Sequence, residues 1–366
     1  MSSKRLCALT CAVVLAALGV FVSGCATKGG KNKKAGQEQI SPANPKVVFE
    51  PGTSTLPAPG TAAAAKVPAP TEPFEQPRVT IKLPATTLGL AVRQIGEAAK
   101  PSLVLMSGIE NSPLASVSFR NEKFEKVVEA LSAESNLKNQ RCPHYVFVYP
   151  TGYEALEAVS VSGKVDPAFN IGVQGMAFGS GLHLYTVFSW LSLALDVTVV
   201  ADNSIAEAQC GELVLGNVPL TDAIDAILKS ARVVKFSVDS TGEFIFISTP
   251  GNKSAASNLL NEDALSDAHK AFLEKKVNVF LPQAPAEGQS VEMALGPKPL
   301  GEVLASLSEQ FGMKIVAEEG LEKLPVNPAV LRGVRGKTAL DLLVRQWLKP
   351  DYGYQMVQDR IVIRKR

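Results

Sequence analysis

Cysteine, histidine and paired carboxylates are the residues of this chain whose types could do chemistry. Cys142 and His144 stand two residues apart, so a strand would point both to one face, where a thiol and a base could form a nucleophile. The sequence shows no third group to orient the base, and a thiol protease is therefore rejected. A solvated helix face explains the carboxylate pairs better than general acid–base work does: Asp222 with Asp225, and Glu125 with Glu129.

Motifs for metals, phosphates and nucleic acids are weak. His144, His183 and His269 have no second histidine or cysteine at metal-ligand spacing. The glycine-rich stretch 171–181 lacks the lysine of a phosphate loop and is interpreted as a strand. Residues 333–336 have the GxxG form with which KH domains clamp a nucleic-acid backbone, but the aligned parts of this chain do not keep it. The formal net charge of +2 gives no basic stripe for nucleic acid, so we expect no nucleic-acid partner. No metal and no cofactor are expected either.

One stretch, residues 217–248, defines the unit that positions these side chains. Leu220, Ile224 and Ile227 recur at helical spacing and predict an amphipathic helix with one buried face. After the helix, apolar residues alternate at every second position on both sides of a turn at 239–242. The stretch is therefore predicted to be a helix followed by a β-hairpin.

The same pattern occurs three times in the chain. Residues 184–228 align without a gap with residues 300–344, 116 positions later, and with residues 88–132, 96 positions earlier. The apolar positions coincide in all three. An acidic position on the second helix is also shared: Glu129, Asp225 and Asp341. We name these segments, with the strands around them, the first, second and third copies in chain order.

Each copy is predicted to be a small α+β unit of the order βαββαβ, with two helices packed on short sheets, because an apolar helix face needs a sheet to cover it. In the third copy, a strand at 291–295 is predicted to precede the first helix. The chain is thereby divided into a signal peptide at 1–24, a tether at 25–77, the copies at 78–150, 168–250 and 277–366, and a linking helix at 254–276.

Two copies carry a motif that resembles a known family. NVPLTDAIDAIL and then KFSVDSTGEFIFIS resemble the secretin and TonB short N-terminal domain, as do KPLGEVLASLSEQFGMKIVAEEGL, TALDLLV and DRIVIRKR. The first copy is included through the repeat. Proteins of that family use such domains as periplasmic docking modules, so the resemblance implies a protein partner in a secretin-like or TonB-linked outer-membrane complex, and it allows a homo-oligomer. A pore or receptor barrel is expected to belong to the partner.

The N-terminal residues have the pattern of an exported lipoprotein. Two basic residues precede an apolar run at 6–22, which is typical of a secretory signal. The following match to the bacterial lipobox consists of Val22, Ser23, Gly24 and Cys25. We expect cleavage before Cys25 and attachment to lipid through it, whereas an uncleaved membrane anchor is the alternative. Because Ala26 and not aspartate follows, the outer membrane, facing the periplasm, is the expected location.

The tether is rich in proline, alanine and lysine between residues 26 and 76 and has almost no apolar periodicity there. Such a composition cannot bury enough apolar surface to fold into a core. It is predicted to carry the copies away from the membrane without packing.

Two further groups of residues leave alternatives open. Cys142 and Cys210 would remain in an oxidising compartment, where two separate buried thiols are favoured over a bridge between copies. The third copy is basic, and its candidate interaction face consists of Arg360, Arg364, Lys365 and Arg366. These cations could meet an acidic partner or only keep the protein soluble.

Two functions follow from the architecture. The favoured one is a non-enzymatic lipoprotein that acts as a docking or scaffold unit for an outer-membrane secretion or transport complex. The alternative is a cell-envelope polymer-binding protein, or an envelope enzyme, with its site between copies. A cluster of carboxylates or a metal site in a groove would favour the second function.

Overall fold

This computed structural model describes residues 48–49, 67–70, 76–153, 160–161, 163–252, 265–281, 296–348 and 352–365. They form an α+β fold in which short helices pack on several small mixed sheets, so the predicted class is confirmed at that level. Within these ranges, no helix is both long and apolar enough to cross a membrane.

Each copy has the same main succession of a leading strand, a first helix, a strand, a long strand, a second helix and a hairpin. The first copy contains β2 (Arg78–Leu83), β3 (Thr86–Thr87), α1 (Leu88–Ala99), β4 (Leu103–Leu105), β5 (Pro113–Leu114), β6 (Val117–Lys123), α2 (Phe124–Glu134), β7 (Leu137–Arg141) and β8 (Val146–Pro150). The second contains β9 (Gly172–Phe178), α3 (Leu184–Leu195), β10 (Val199–Ala201), α4 (Asn203–Ala206), β11 (Leu213–Pro219), α5 (Leu220–Ser230), β12 (Ser237–Thr241) and β13 (Phe244–Ser248). The third follows α6 (Asp267–Glu274) and contains β14 (Lys276–Leu281), β15 (Lys298–Pro299), α7 (Leu300–Phe311), β16 (Lys314–Ala317), β17 (Pro325–Val326), β18 (Ala329–Arg335), α8 (Gly336–Val344), β19 (Tyr352–Val357) and β20 (Arg360–Lys365).

Strand pairing repeats from copy to copy. The strand after the first helix pairs in parallel with the second hairpin strand in all three: β4 with β8, β10 with β13, and β16 with β20. The leading strand pairs antiparallel with the long strand: β2 with β6, β9 with β11, and β14 with β18. The parallel pair keeps its register between the second and third copies, because Val199 pairs with Ile245 and Ile315 pairs with Ile361, each 116 positions later. The repeat therefore extends from the apolar spacing to the order of strand pairing.

The ends of the first helices show why the alignment is gapless there. Each first helix ends at a residue in the left-handed conformation: Lys100 with φ of 50°, Asp196 with φ of 52° and Gly312 with φ of 63°. Such a residue stops a helix and turns the chain toward the next strand. In two copies a helical serine then holds that strand, because Ser192 and Ser308 accept the N–H groups of Val199 and Ile315 at 3.0 and 2.9 Å.

Element boundaries differ from the predictions in two places. The first copy has a complete hairpin, because β7 pairs with β8, and its order is βαββαββ when the short strands are left aside. The third copy begins with β14, directly after α6, which is the described part of the predicted linking helix at 254–276. The strand predicted at 291–295 lies outside the described residues.

Part of the predicted tether pairs with the second copy. β1 (Val48–Phe49) lies antiparallel to β9, and Gly172 N donates to Val67 O at 2.7 Å, beside a bridge between Pro68 and Ile171. An edge strand such as β9 has unpaired N–H and C=O groups that attract another extended segment. These residues therefore extend the edge of that sheet, whereas the tether as a whole stays a prediction.

The copies are joined by shared sheets and cores. A six-stranded sheet of the order β1-β9-β11-β4-β8-β7 runs through the first and second copies. Val200, Phe244 and Phe246 of the second copy are buried in the core of the third. Phe280 and Val330 of the third copy belong in turn to the core of the first two. Burial of side chains across both junctions stabilises the described copies as one packed array.

Candidate functional site

The residues that the sequence selected for chemistry meet at the junction of the first and second copies, which we name the first contact. His144 Nδ1 lies 2.6 Å from Asp222 Oδ2. Tyr145 donates its O–H to Asp225 Oδ2 at 2.6 Å, and Lys229 Nζ lies 2.9 Å from the same oxygen. The end of one hairpin thus meets the second helix of the next copy through charged and hydroxyl groups.

The orienting group that the sequence did not show is therefore present, because Asp222 on α5 bonds the imidazole of His144. The pKa of the Cys142 thiol, however, argues against a role as a nucleophile. Burial is the main cause that raises the pKa of Cys142, and the side chain hydrogen-bonds Tyr145. A thiol with a raised pKa is poorly ionised near neutral pH, and the thiolate is the reactive form.

The prediction that Asp222 and Asp225 form a solvated helix face is wrong. Asp225 is only 7% exposed, and both carboxylates bond side chains of the first copy. A buried carboxylate must be paired or hydrogen-bonded, and Tyr145 and Lys229 supply those partners. At the same position of the first copy, Glu129 is exposed, as the sequence predicted.

The second contact, between the second and third copies, repeats this arrangement with other side chains. Lys229 and Arg345 are 116 positions apart, which is the offset of the repeat. Lys229 Nζ lies 5.7 Å from the ring centre of Tyr145, and Arg345 Cζ lies 5.6 Å from that of Phe244. Arg345 also stacks on Phe246, 4.1 Å from the ring centre. Each contact therefore places a cation from the C-terminal end of the second helix over an aromatic ring of the preceding hairpin.

The polar pair beside the ring is also repeated. His144 precedes Tyr145 and bonds Asp222, while Glu243 precedes Phe244 and accepts from Thr338 Oγ1 at 2.7 Å. Asp222 and Thr338 are again 116 positions apart. The same geometry is thus formed by different side chains at the two contacts. This favours a role in joining copies over a role in catalysis for these groups.

The other half of each contact involves the long strand. Ser102 Oγ accepts the N–H of Gly216 at 3.0 Å in the first contact, and Thr198 Oγ1 accepts the N–H of Arg332 at 2.7 Å in the second. Arg332 is fixed further by Asp196, with Nε and Oδ1 2.8 Å apart. A hydroxyl at the start of one strand therefore anchors the long strand of the following copy at both junctions.

The basic residues of the third copy fall into two groups. Arg332, Arg335 and Arg345 face the second copy, where they pair with Asp196, Glu243 and Asp239. The predicted interaction face lies on β20: Arg360 and Arg364 are half-buried, Lys365 is exposed and Arg366 lies outside the described residues. Arg364 donates to Gln355 Oε1 at 3.0 Å and lies 3.4 Å from Glu318.

A groove lies beside the first contact. It is shallow and open to solvent, and it is lined by α1, β9 and β11, including Arg93, Glu97 and Lys100. Arg93 is bound to Glu212, with its Nε and Nη2 3.0 and 2.9 Å from the two carboxylate oxygens. Glu212 is 3% exposed and bonds the N–H of Ser180 as well, so this ion pair joins the copies.

The remaining predicted site residues are not brought together. Cys142 and Cys210 are free thiols, and burial raises the pKa of Cys210 to about 12. The described ranges contain no group of three His, Cys, Asp or Glu side chains that could hold a metal. Cys25 and the lipobox residues Val22, Ser23 and Gly24 lie outside them.

Sequence reasoning missed three residues of these contacts, Tyr145, Lys229 and Arg345. The sequence contained a signal for two of them, because the repeat offset of 116 aligns Lys229 with Arg345. Tyr145 could not be aligned by the same offset, since fewer residues separate the second helix from the hairpin in the first copy, where α2 ends at Glu134 and β7 begins at Leu137, than in the second, where α5 ends at Ser230 and β12 begins at Ser237. No known family model matches this chain, and no curated protein matches its sequence.

Proposed function

We propose that this chain is an outer-membrane lipoprotein that docks partner proteins in the periplasm, as a scaffold of a secretin-like or TonB-linked complex. Its three copies would be tandem βαββαβ modules of the secretin and TonB short N-terminal type, each with one additional hairpin strand. Cys25 would carry the lipid, and the chain would act without catalysis or a cofactor.

The observation that carries the proposal is the contact that occurs twice. The outward sheet face of one copy covers the second helix of the next at both junctions, with the same positions in register and different side chains. A fold that docks one copy on another twice within a single chain is suited to docking a further protein. The charged groups near the junctions are engaged in these contacts, as in Arg93 with Glu212.

The alternative of an envelope polymer-binding protein has one supporting observation, the groove lined in part by Arg93, Glu97 and Lys100. Anionic wall polymers bind basic surfaces. Because the guanidinium of Arg93 already binds Glu212, we regard the groove as part of the first contact and docking as the better-supported function.

The test is recovery of partners from detergent-solubilised envelopes with tagged full-length protein, cross-linked in cells before lysis. The docking function predicts that a secretin or a TonB-dependent receptor is recovered. Cys25→Ala should reduce the recovery several-fold, because an unanchored protein is diluted through the periplasm. If tagged protein is recovered alone and sediments with purified cell wall, the polymer-binding function replaces the docking function.

A further inference from the structure

The sheet face that docks the next copy can be followed into the third copy. In the first copy this face contains Val104, Tyr145 and Phe147, and in the second Val200, Phe244 and Phe246. All six are buried, because the following copy covers them. We name this set of positions the outer sheet face.

Strand register identifies the same positions in the third copy. Val104 pairs with Phe147, Val200 with Phe246, and Val316 with Val362. Two residues earlier on the second hairpin strand stand Tyr145, Phe244 and Arg360. The outer sheet face of the third copy is therefore Val316, Arg360 and Val362, and all three are half-buried where their equivalents are covered.

The charge of this face differs from that of the other two. Arg360 takes the place of an aromatic ring, and Lys314 stands directly opposite it on β16. Like charges at opposite positions of a sheet repel each other, so the pair is unfavourable unless an anion lies nearby. The Nε of Arg360 is buried and has no hydrogen-bond partner among the described residues.

The neighbouring groups complete the pattern. Arg364 lies on the same face and is partly neutralised by Glu318, 3.4 Å away. Asp359 is exposed and precedes Arg360, as His144 precedes Tyr145 and Glu243 precedes Phe244. The face thus consists of the basic side chain of Arg360 beside Val316 and Val362, with the carboxylate of Asp359 at its edge.

We propose that the outer sheet face of the third copy binds an amphipathic helix of a partner protein, and that this helix carries a carboxylate where Lys229 and Arg345 carry cations. The proposal rests on the docking function above and specifies its surface. At both internal contacts the cation of the helix lies over an aromatic ring. With arginine in the place of the ring, an anion is required in the place of the cation. Near Asp359, the helix would carry a hydroxyl, as Thr338 does opposite Glu243.

A second copy of this chain fits the face less well. Its first copy offers Glu129 at the position of Asp225, which would suit Arg360. The same approach would bring Lys314, which stands at the position of Thr198, against Arg120, which stands at that of Arg332. At the second contact Asp196 compensates Arg332, whereas Gly312 occupies the position of Asp196 in the third copy. The like charges would therefore remain uncompensated.

The proposal is tested with two stapled, alanine-based helical peptides. Both carry threonine and aspartate at the spacing of Thr338 and Asp341, and at the position of Arg345 one carries glutamate and the other arginine. Binding to the full chain is followed by NMR shifts of backbone amides. The glutamate peptide should bind about tenfold more tightly than the arginine peptide, with shifts confined to β16, β19 and β20.

Charge reversal supplies the matched control. Arg360→Glu should invert the order of the two peptides, whereas Lys323→Glu, an equal charge change at an exposed residue of the same copy, should leave it unchanged. Equal binding of the two peptides to the natural chain, or the absence of shifts in β20, overturns the proposal without any variant. A concentration-dependent dimer in sedimentation equilibrium that is lost in both Arg360→Glu and Glu129→Lys would assign the face to a second copy and would also overturn it.

The two proposals can fail separately. If envelope complexes are recovered with the natural chain and equally with Arg360→Glu, docking stands and this surface is wrong. If the glutamate peptide binds as expected but no secretin or receptor is recovered, the surface stands and its biological setting is wrong.

Discussion

The two contacts between copies share one geometry but differ in what holds the strands together. In the first contact, β4 pairs with β11 through backbone hydrogen bonds, and Leu105 N donates to Glu212 O at 2.8 Å. In the second, β10 lies beside β18 in separate sheets, and the hydroxyl of Thr198 bonds both backbone groups of Arg332. The first contact is a continuous sheet, whereas the second is a junction of side chains.

Glycine accounts for the difference. Gly216 and Gly211 lie in the first contact, where an added Cβ would stand 2.7 Å from Lys100 O at one and 2.8 Å from the carbonyl carbon of Met106 at the other. Two strands can approach to pairing distance only if no side chain intervenes. The equivalent residues of the second contact are Arg332 and Asn327, so the strands stay apart and side chains bridge them. Small residues therefore decide whether two copies share a sheet.

The largest expected effect comes from breaking the backbone-paired contact. Gly211→Ala places a methyl group against the backbone of Leu105 and Met106, which cannot move without separating β4 from β11. We expect a loss of about 3 kcal/mol in the free energy of unfolding, measured by urea denaturation. Gly242→Ala is the matched control, because an added Cβ meets nothing within 4 Å there. Equal losses in the two variants would contradict the importance of close approach.

The sequence could predict the copies but not their contacts. Apolar spacing and the gapless offset are local properties, and they predicted the helices of all three copies and the hairpin strands of the second and third. The pairing of Tyr145 with Asp225 depends on which face of one copy meets the next, and a repeat offset carries no information about that. Asp225 was therefore predicted at a solvated face, where an isolated helix would place it, although it is buried.

The leading strand of the third copy shows a second limit. β14, which the sequence did not predict, ends at Leu281, whereas α7 begins at Leu300. In the second copy β9 ends at Phe178 and α3 begins at Leu184. Loop length is weakly constrained by stability, because closing a longer loop costs little additional entropy.

A smaller effect is expected from the side-chain junction. Arg345→Ala removes the cation from Phe246 and leaves Asp239 without its partner at 2.7 Å. We expect a loss of about 2 kcal/mol in the free energy of unfolding, most of it from the buried stacking, because Asp239 is half exposed and well solvated. Arg345→Lys keeps the charge but not the planar stack and should lose about half as much. An unchanged stability of Arg345→Ala would show that shape, and not the cation, holds the second contact.

The smallest expected effect is on thermal stability, and it distinguishes Asp341 from Asp225, which share a repeat position. Burial raises the pKa of Asp341, although Tyr354 donates to it at 3.0 Å and nearby cations favour its ionised form. Because the folded pKa lies above the unfolded one, the folded state holds more protons between them, and stability falls as pH rises through that interval. Asp341→Asn keeps an acceptor for Tyr354 and cannot ionise. It should therefore raise the melting temperature at pH 7, by an amount that shrinks as the pH is lowered toward 3.8.

Asp225→Asn should have the opposite sign, because it removes a buried charge that pairs with Lys229 of the same helix at 2.9 Å and accepts the hydroxyl of Tyr145 from the first copy. Thermal unfolding of both variants from pH 3 to pH 8 compares the same position in two settings. Inside the third copy the carboxylate bonds its own hairpin, where burial opposes its charge, whereas at the first contact the charge has a cationic partner from its own helix and a hydroxyl from the preceding copy. A change of the same sign in both variants would mean that the contact between copies does not use the charge of Asp225.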